Sequence, residues 1–217
     1  MNEFSLSLMA QLAMTSGALS LVALLALHFV SPEYHPSWRM ISEYALGKHK
    51  WLITSFFYLW GASSVLLSFL LWNVVTTWWG LLGVALLFLS AVGEIMGGLF
   101  DVKHKWHGMA FGLGVPSLPI AALLIGYNLI GSESWSSYRG TILISSHATW
   151  LSLIVMAVAM VVMFAGFKKA GIVMDQHSAP PEKVPEGVIA LGGYANRVLV
   201  LCYVGWLILI ANVYLSR

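Results

Sequence analysis

The chain has 217 residues; 59% are hydrophobic before its 20 glycines are counted, and only 9% are charged. An average soluble domain is about 45–50% apolar with glycine included and about 25% charged, so a soluble enzyme, a disordered regulator and a nucleic-acid-binding module are excluded, in line with a mean hydropathy of +0.82. A net charge of +2 is too small to attract a polyanion, and the single cysteine, Cys202, lies in an apolar run and allows neither an intramolecular disulfide nor a cysteine-based metal site.

A helix needs about 20 mostly apolar residues to cross the hydrocarbon core. Six stretches qualify, at residues 6–30, 51–75, 78–100, 107–130, 140–167 and 188–215. The expected fold is all-α: a polytopic bundle of six transmembrane helices that forms one domain over residues 1–217. Continuously apolar runs favour helices over a barrel, whose strands would alternate. The first span follows Met1-Asn2-Glu3-Phe4, which has no basic region, and it is too long for a removable signal, so it is expected to be retained. Thr76 and Thr77 alone separate spans two and three, which predicts a tight helical hairpin. Pro116 and Pro119 interrupt span four. Residues 168–187 read as a flexible loop in which His177 is solvated. Little chain is left for a soluble catalytic domain, so function is expected in the bundle or at its rims, with membrane lipids as the surrounding partners.

Lys and Arg divide unevenly between the two faces. Arg39, Lys48, Lys50, Lys103, Lys105, Lys168, Lys169 and Lys183 fall in loops one, three and five, whereas Arg139 and Arg217 lie on the opposite side and Arg197 inside span six. The positive-inside rule then puts loops one, three and five in the cytoplasm and both termini outside the cell membrane. Trp51, Trp72, Trp78, Trp79, Trp106 and Trp135 fall near span ends, where indole rings anchor at the interface. The small-residue pairs Gly93/Gly97 and Gly108/Gly112 point to close helix packing.

Polar groups at membrane depth are costly, and so informative. His28 ends span one; Glu94 and Asp101 lie two turns apart on one face of span three; His107 opens span four; His147 is in span five, nearer the outer face; Arg197 is in span six. Glu94 and Arg197 are at similar depth, about two turns inside the rim, which predicts a structural ion pair. Asp101, His104 and His107 fall within seven residues. With His28 they could hold a divalent metal, most plausibly zinc, although the spacing matches no standard signature. The alternative is a polar turn whose histidines cap helix ends. The first loop adds Ser42, Glu43 and Tyr44, expected to fold over the ends of spans three and four with His28 as the floor.

The order of these elements resembles a known family. Ile41-Ser42-Glu43-Tyr44-Ala45-Leu46-Gly47 follows span one, Gly97-Gly98-Leu99-Phe100-Asp101 ends span three, His107-Gly108 opens span four, and Asn196-Arg197 lies in span six. This is similar to the bacterial and archaeal domain-of-unknown-function family 998, small six-span proteins, although that family often has proline beside the aspartate and Leu99-Phe100-Asp101 has none. The resemblance implies six spans and singles out Ser42, Glu43, Tyr44, Asp101, His107 and Arg197, without supplying a reaction.

Several functions compete on this inventory. One is a metal-dependent intramembrane lipid hydrolase, similar in residue type to alkaline ceramidases. Zinc would sit on some of His28, Asp101, His107 and His147, although His147 lies toward the outer face, with Ser42, Glu43 and Asp101 in catalytic roles, Glu43 or Glu94 as general base, and Tyr44 beside them. The second is a small-molecule transporter or carrier with Glu94, Asp101 and Arg197 along a polar path. The third is a non-catalytic binding, sensing or assembly partner, and haem ligation by histidines on adjacent helices is a further reading.

Overall fold

The computed structural model describes residues 2–172 and 183–217. Among them there is no strand, and six helices are long and apolar enough to cross a membrane. They are α1 (Glu3–Val30), α2 (Lys50–Trp72), α3 (Trp78–Leu99), α4 (His107–Leu129), α6 (Arg139–Lys169) and α7 (Gly192–Ser216). A 3-10 helix, Ile41–Leu46, lies in the first loop, and the short α5 (Glu133–Ser136) lies in the fourth. This is a multi-pass integral membrane protein. His177 and the middle of the expected loop at 168–187 lie outside the described residues.

Local chemistry explains where the helices begin and end. Asn2 caps α1 by accepting the Ser5 N–H at 2.9 Å, and Thr77 caps α3 by accepting that of Gly80 at 3.1 Å. Between α2 and α3 the hairpin is longer than the two threonines, because α2 already stops at Trp72. At the end of α6, Gly171 takes φ +78. Ile172 N–H then reaches the Phe167 carbonyl and Gly171 N–H that of Lys168, a Schellman closure that requires the left-handed residue.

The spans close a ring in the order α1, α2, α3, α4, α6, α7 and back to α1. α7 is the most enclosed span and α6 the least. On α1, Ala10, Ala13, Gly17, Ser20, Leu24 and Leu27 face the bundle, while Phe4, Leu8, Leu12, Val22 and Phe29 stay exposed toward lipid. Lipid is as apolar as the core, so packing of small residues and buried hydrogen bonds holds such spans together. Gly93 of α3 lies directly on Gly114 of α4, and a Cβ at Gly93 would overlap the Gly114 backbone. By contrast, Gly108 and Gly112 have open space where a Cβ would stand, so that pair makes no close crossing.

Pro119 removes the helix donor for the Val115 carbonyl. The Tyr203 hydroxyl of α7 replaces it at 2.7 Å. The tryptophans divide as well. Trp51, Trp72, Trp78 and Trp106 are exposed as interfacial anchors should be, but Trp135 is buried, with the Arg217 guanidinium 4.9 Å from its ring centroid.

Candidate functional site

The first loop is tied to the start of α7 by backbone contacts. The N-terminal N–H groups of a helix have no partner within it; here those of Gly193 and Tyr194 both reach the Ser37 carbonyl, at 2.9 and 3.2 Å. The approach is close enough that a Cβ at Gly193 would come within 2.7 Å of Pro36, Trp38 and Arg39 backbone atoms. Asn196 Oδ1 accepts the Ile41 N–H at 3.0 Å and so anchors the 3-10 helix to the same span. Within that helix Glu43 turns back to accept the Met40 N–H at 2.7 Å, and its carboxylate stands 3.2 Å from Arg39 Nε. Burial pushes the Glu43 carboxyl above its ordinary range, with Arg39 and the Met40 N–H acting against that rise.

Arg197 is the centre of this junction. Its Nε donates to His28 Nε2 at 2.6 Å, one terminal nitrogen donates to the Arg39 and Gly193 carbonyls at 2.8 and 2.9 Å, and the other donates to the Tyr44 hydroxyl at 3.2 Å. His28 Nδ1 in turn donates to the Leu24 carbonyl at 2.7 Å, which fits a neutral ring with its proton on Nδ1. The expected Glu94–Arg197 ion pair is therefore not made. The guanidinium reaches up to loop backbone and His28 instead of across to α3, because four acceptors at the rim fit its fork.

The expected zinc set does not assemble either. Among the described residues no three His, Cys, Asp or Glu side chains lie close enough to share a metal ion. His28 has both ring nitrogens engaged, His107 Nδ1 donates to the Phe100 carbonyl at 2.9 Å, and Asp101 is held by Lys50 at 2.9 Å. The Lys50 contact is the chief reason the Asp101 carboxyl lies below its ordinary range. His147 belongs to the other face, where it accepts from Trp150 Nε1 at 2.8 Å and pairs with the Tyr127 hydroxyl at 3.2 Å. His28, Tyr44 and Arg197 do meet, with the His28 and Tyr44 ring centroids 5.8 Å apart. Ser42 and His107 are brought to one rim, while Asp101 is engaged elsewhere.

What joins Ser42, His107 and Glu94 is a cavity of about 480 Å³ in the half of the bundle nearest the first loop. Its walls are mainly apolar, with Phe56, Phe57 and Trp60 of α2 facing Met156 and Met160 of α6. Exposed Phe111 of α4 and Ala157 of α6 line it too, so it opens toward lipid along the seam between those helices. The seam is tight only further along, where Gly126 lies against Ser146.

Glu94 lies in the cavity wall, 4% exposed. Its Oε1 is 2.9 Å from Ser90 Oγ, while Oε2 has no hydrogen-bond partner among the described residues. Trp60 Nε1 and Ser64 Oγ, on α2, are buried and make no hydrogen bond of good geometry among the described residues either, although the Ser64 hydroxyl is a near neighbour of the Glu94 carboxyl. Orphaned buried polar atoms are rare, and each asks for an explanation. Trp60, Ser64 and Ser90 were not singled out from the sequence. The available signal was spacing: Ser64 follows Trp60 by four residues and Glu94 follows Ser90 by four, which places each pair on one helical face.

Comparison with curated proteins and with solved structures finds no match. A family profile described as "Protein of unknown function (DUF998)" matches residues 14–213, nearly the whole chain and every span. The chain belongs to that family of membrane proteins of unknown function.

Proposed function

We propose that this protein binds a membrane-dissolved amphiphile inside its bundle, as a carrier or receptor of small molecules. The apolar body of the ligand occupies the aromatic and methionine-lined cavity, and its polar head meets Glu94. Entry is sideways from the lipid, through the α4–α6 seam. One observation carries the reading: a cavity of about 480 Å³ that has a fully buried carboxylate oxygen without a partner in its wall. That volume is within the usual range for ligand sites, which are mostly apolar with a few placed polar groups.

Binding is favoured over lipid hydrolysis because the groups a hydrolase would use are engaged elsewhere. Asp101 is held by Lys50, Glu43 by Arg39 and the Met40 N–H, and His28 by Arg197. The distribution of Lys and Arg supports a cell-membrane protein with loops one, three and five in the cytoplasm and both termini outside.

Radiolabelled dodecanol provides the test. It should bind saturably to the purified protein in lipid nanodiscs. Ala157→Trp, which fills the cavity from an exposed position, should weaken binding by more than about tenfold, or about 1.4 kcal/mol, at an unchanged melting temperature. Non-saturable uptake, or saturable binding indifferent to Ala157→Trp, would overturn the reading.

A further inference from the structure

Ser90 Oγ lies 2.9 Å from Glu94 Oε1 and also 2.9 Å from the Gly114 carbonyl. A serine hydroxyl has a single hydrogen to give. Both contacts are full hydrogen bonds at once, rather than two halves of one shared hydrogen, only if Glu94 carries a proton on Oε1. The carboxyl then donates to Ser90, and Ser90 donates to Gly114. An ionised Glu94 must instead draw the Ser90 hydrogen to itself, and its buried Oε2, with the Ser64 hydroxyl of α2 close by, still makes no hydrogen bond among the described residues.

No Lys or Arg lines the cavity among the described residues. The neighbouring elements offer little else that could balance a charge. α2 and α6 contribute no titratable side chain to the wall, α4 contributes His107 from the rim, and the first loop contributes Ser42. Tyr203 of α7 is near enough to Glu94 to interact electrostatically, but its hydroxyl is already given to Val115. A carboxylate in such a place needs either a proton or a cation brought from outside. The aromatic faces of Phe56, Phe57 and Trp60 beside it favour a cation.

We infer that Glu94 exchanges its proton for the ammonium head of a lipophilic amine, so that the site selects amines over neutral amphiphiles of equal chain length. This rests on reading the cavity as a ligand site. No covalent bond to carbon changes. The Glu94 O–H breaks and its proton leaves to water past Ser42 and His107. The ammonium, which keeps its own protons, donates an N–H to Oε2, and Ser90 turns its hydrogen to Oε1. Carboxylate and ammonium then neutralise each other out of water, a stronger contact than a neutral hydroxyl can make.

Dodecylamine and dodecanol form a matched pair of probes. In nanodiscs the amine should bind more than about tenfold tighter than the alcohol, and in lightly buffered, mildly acidic solution a pH-indicator dye should register about one proton released per amine bound, and none for the alcohol. Amine affinity should fall as the solution is made more acidic. Glu94→Gln should bring the two affinities together by lowering that of the amine and should abolish the proton release. If that variant does not fold, the affinity ratio and the proton count of the unaltered protein decide. Equal affinities, or amine binding without proton release, would overturn amine selection and leave the cavity reading intact. Absence of saturable binding by either probe would overturn both.

Discussion

Two charged residues show how neighbours decide what a side chain does. Arg197 holds His28, Tyr44 and the Arg39 carbonyl together. Its replacement by alanine leaves each of these without a donor, at about 1–3 kcal/mol for every buried group left unsatisfied. A clear drop in melting temperature is expected for Arg197→Ala in detergent. Adding Glu94→Gln should recover none of it, since Glu94 is not its partner; recovery would restore the ion pair the structure does not contain. Glu43 gives a pH signature. Its folded-state carboxyl titrates above the ordinary value because burial outweighs Arg39 and the Met40 N–H. Between the ordinary value, about pH 4.3, and the raised one, the folded state holds more protons, so stability falls as pH rises through that window. Thermal melts across the window should therefore slope less for Glu43→Gln than for the parent, and an unchanged slope would show that Glu43 is not buried.

Among the elements, α3 and α4 make the closest crossing and form two walls of the cavity. Gly93→Ala pushes a methyl group into the Gly114 backbone, where no side chain can yield. Overpacking of this kind costs about 1–3 kcal/mol and would also shift Glu94, one residue along. Gly112→Ala, where nothing stands within 4 Å, should melt like the parent, so a paired thermal-shift measurement separates a packed glycine from an unpacked one. The same logic applies where the first loop meets α7. Gly193 is needed there because loop backbone, rather than a movable side chain, occupies the space beside it.

For the whole molecule, the ring of spans places the buried Glu94 and the Arg197 junction in the half of the bundle that carries the basic loops. If the positive-inside asymmetry sets the orientation, this half faces the cytoplasm. A reporter fused after Arg217 should then behave as external. Cytoplasmic activity at that junction would invert the protein and place the cavity mouth in the outer half of the membrane.

The six spans, their ends and the family were legible in the residues themselves, because about 20 apolar residues in a row have few alternatives in lipid and each helix satisfies its own backbone. The expected and observed helix ends agree closely, and the largest shift, at the start of α7, arises where Gly192 and Gly193 are packed against the first loop. The polar residues were legible as a set but not as partners. Similar depth suggested Glu94 with Arg197, yet depth does not say which way a helix face is turned. Rotation of α7 aims Arg197 at His28 and the loop backbone, and leaves Glu94 facing Ser90 and an open cavity. The cavity itself had no signature in the chain. It exists because α4 and α6 pack tightly at Gly126 and Ser146 but part beside Phe111 and Ala157, and only the packed bundle decides where two helices part.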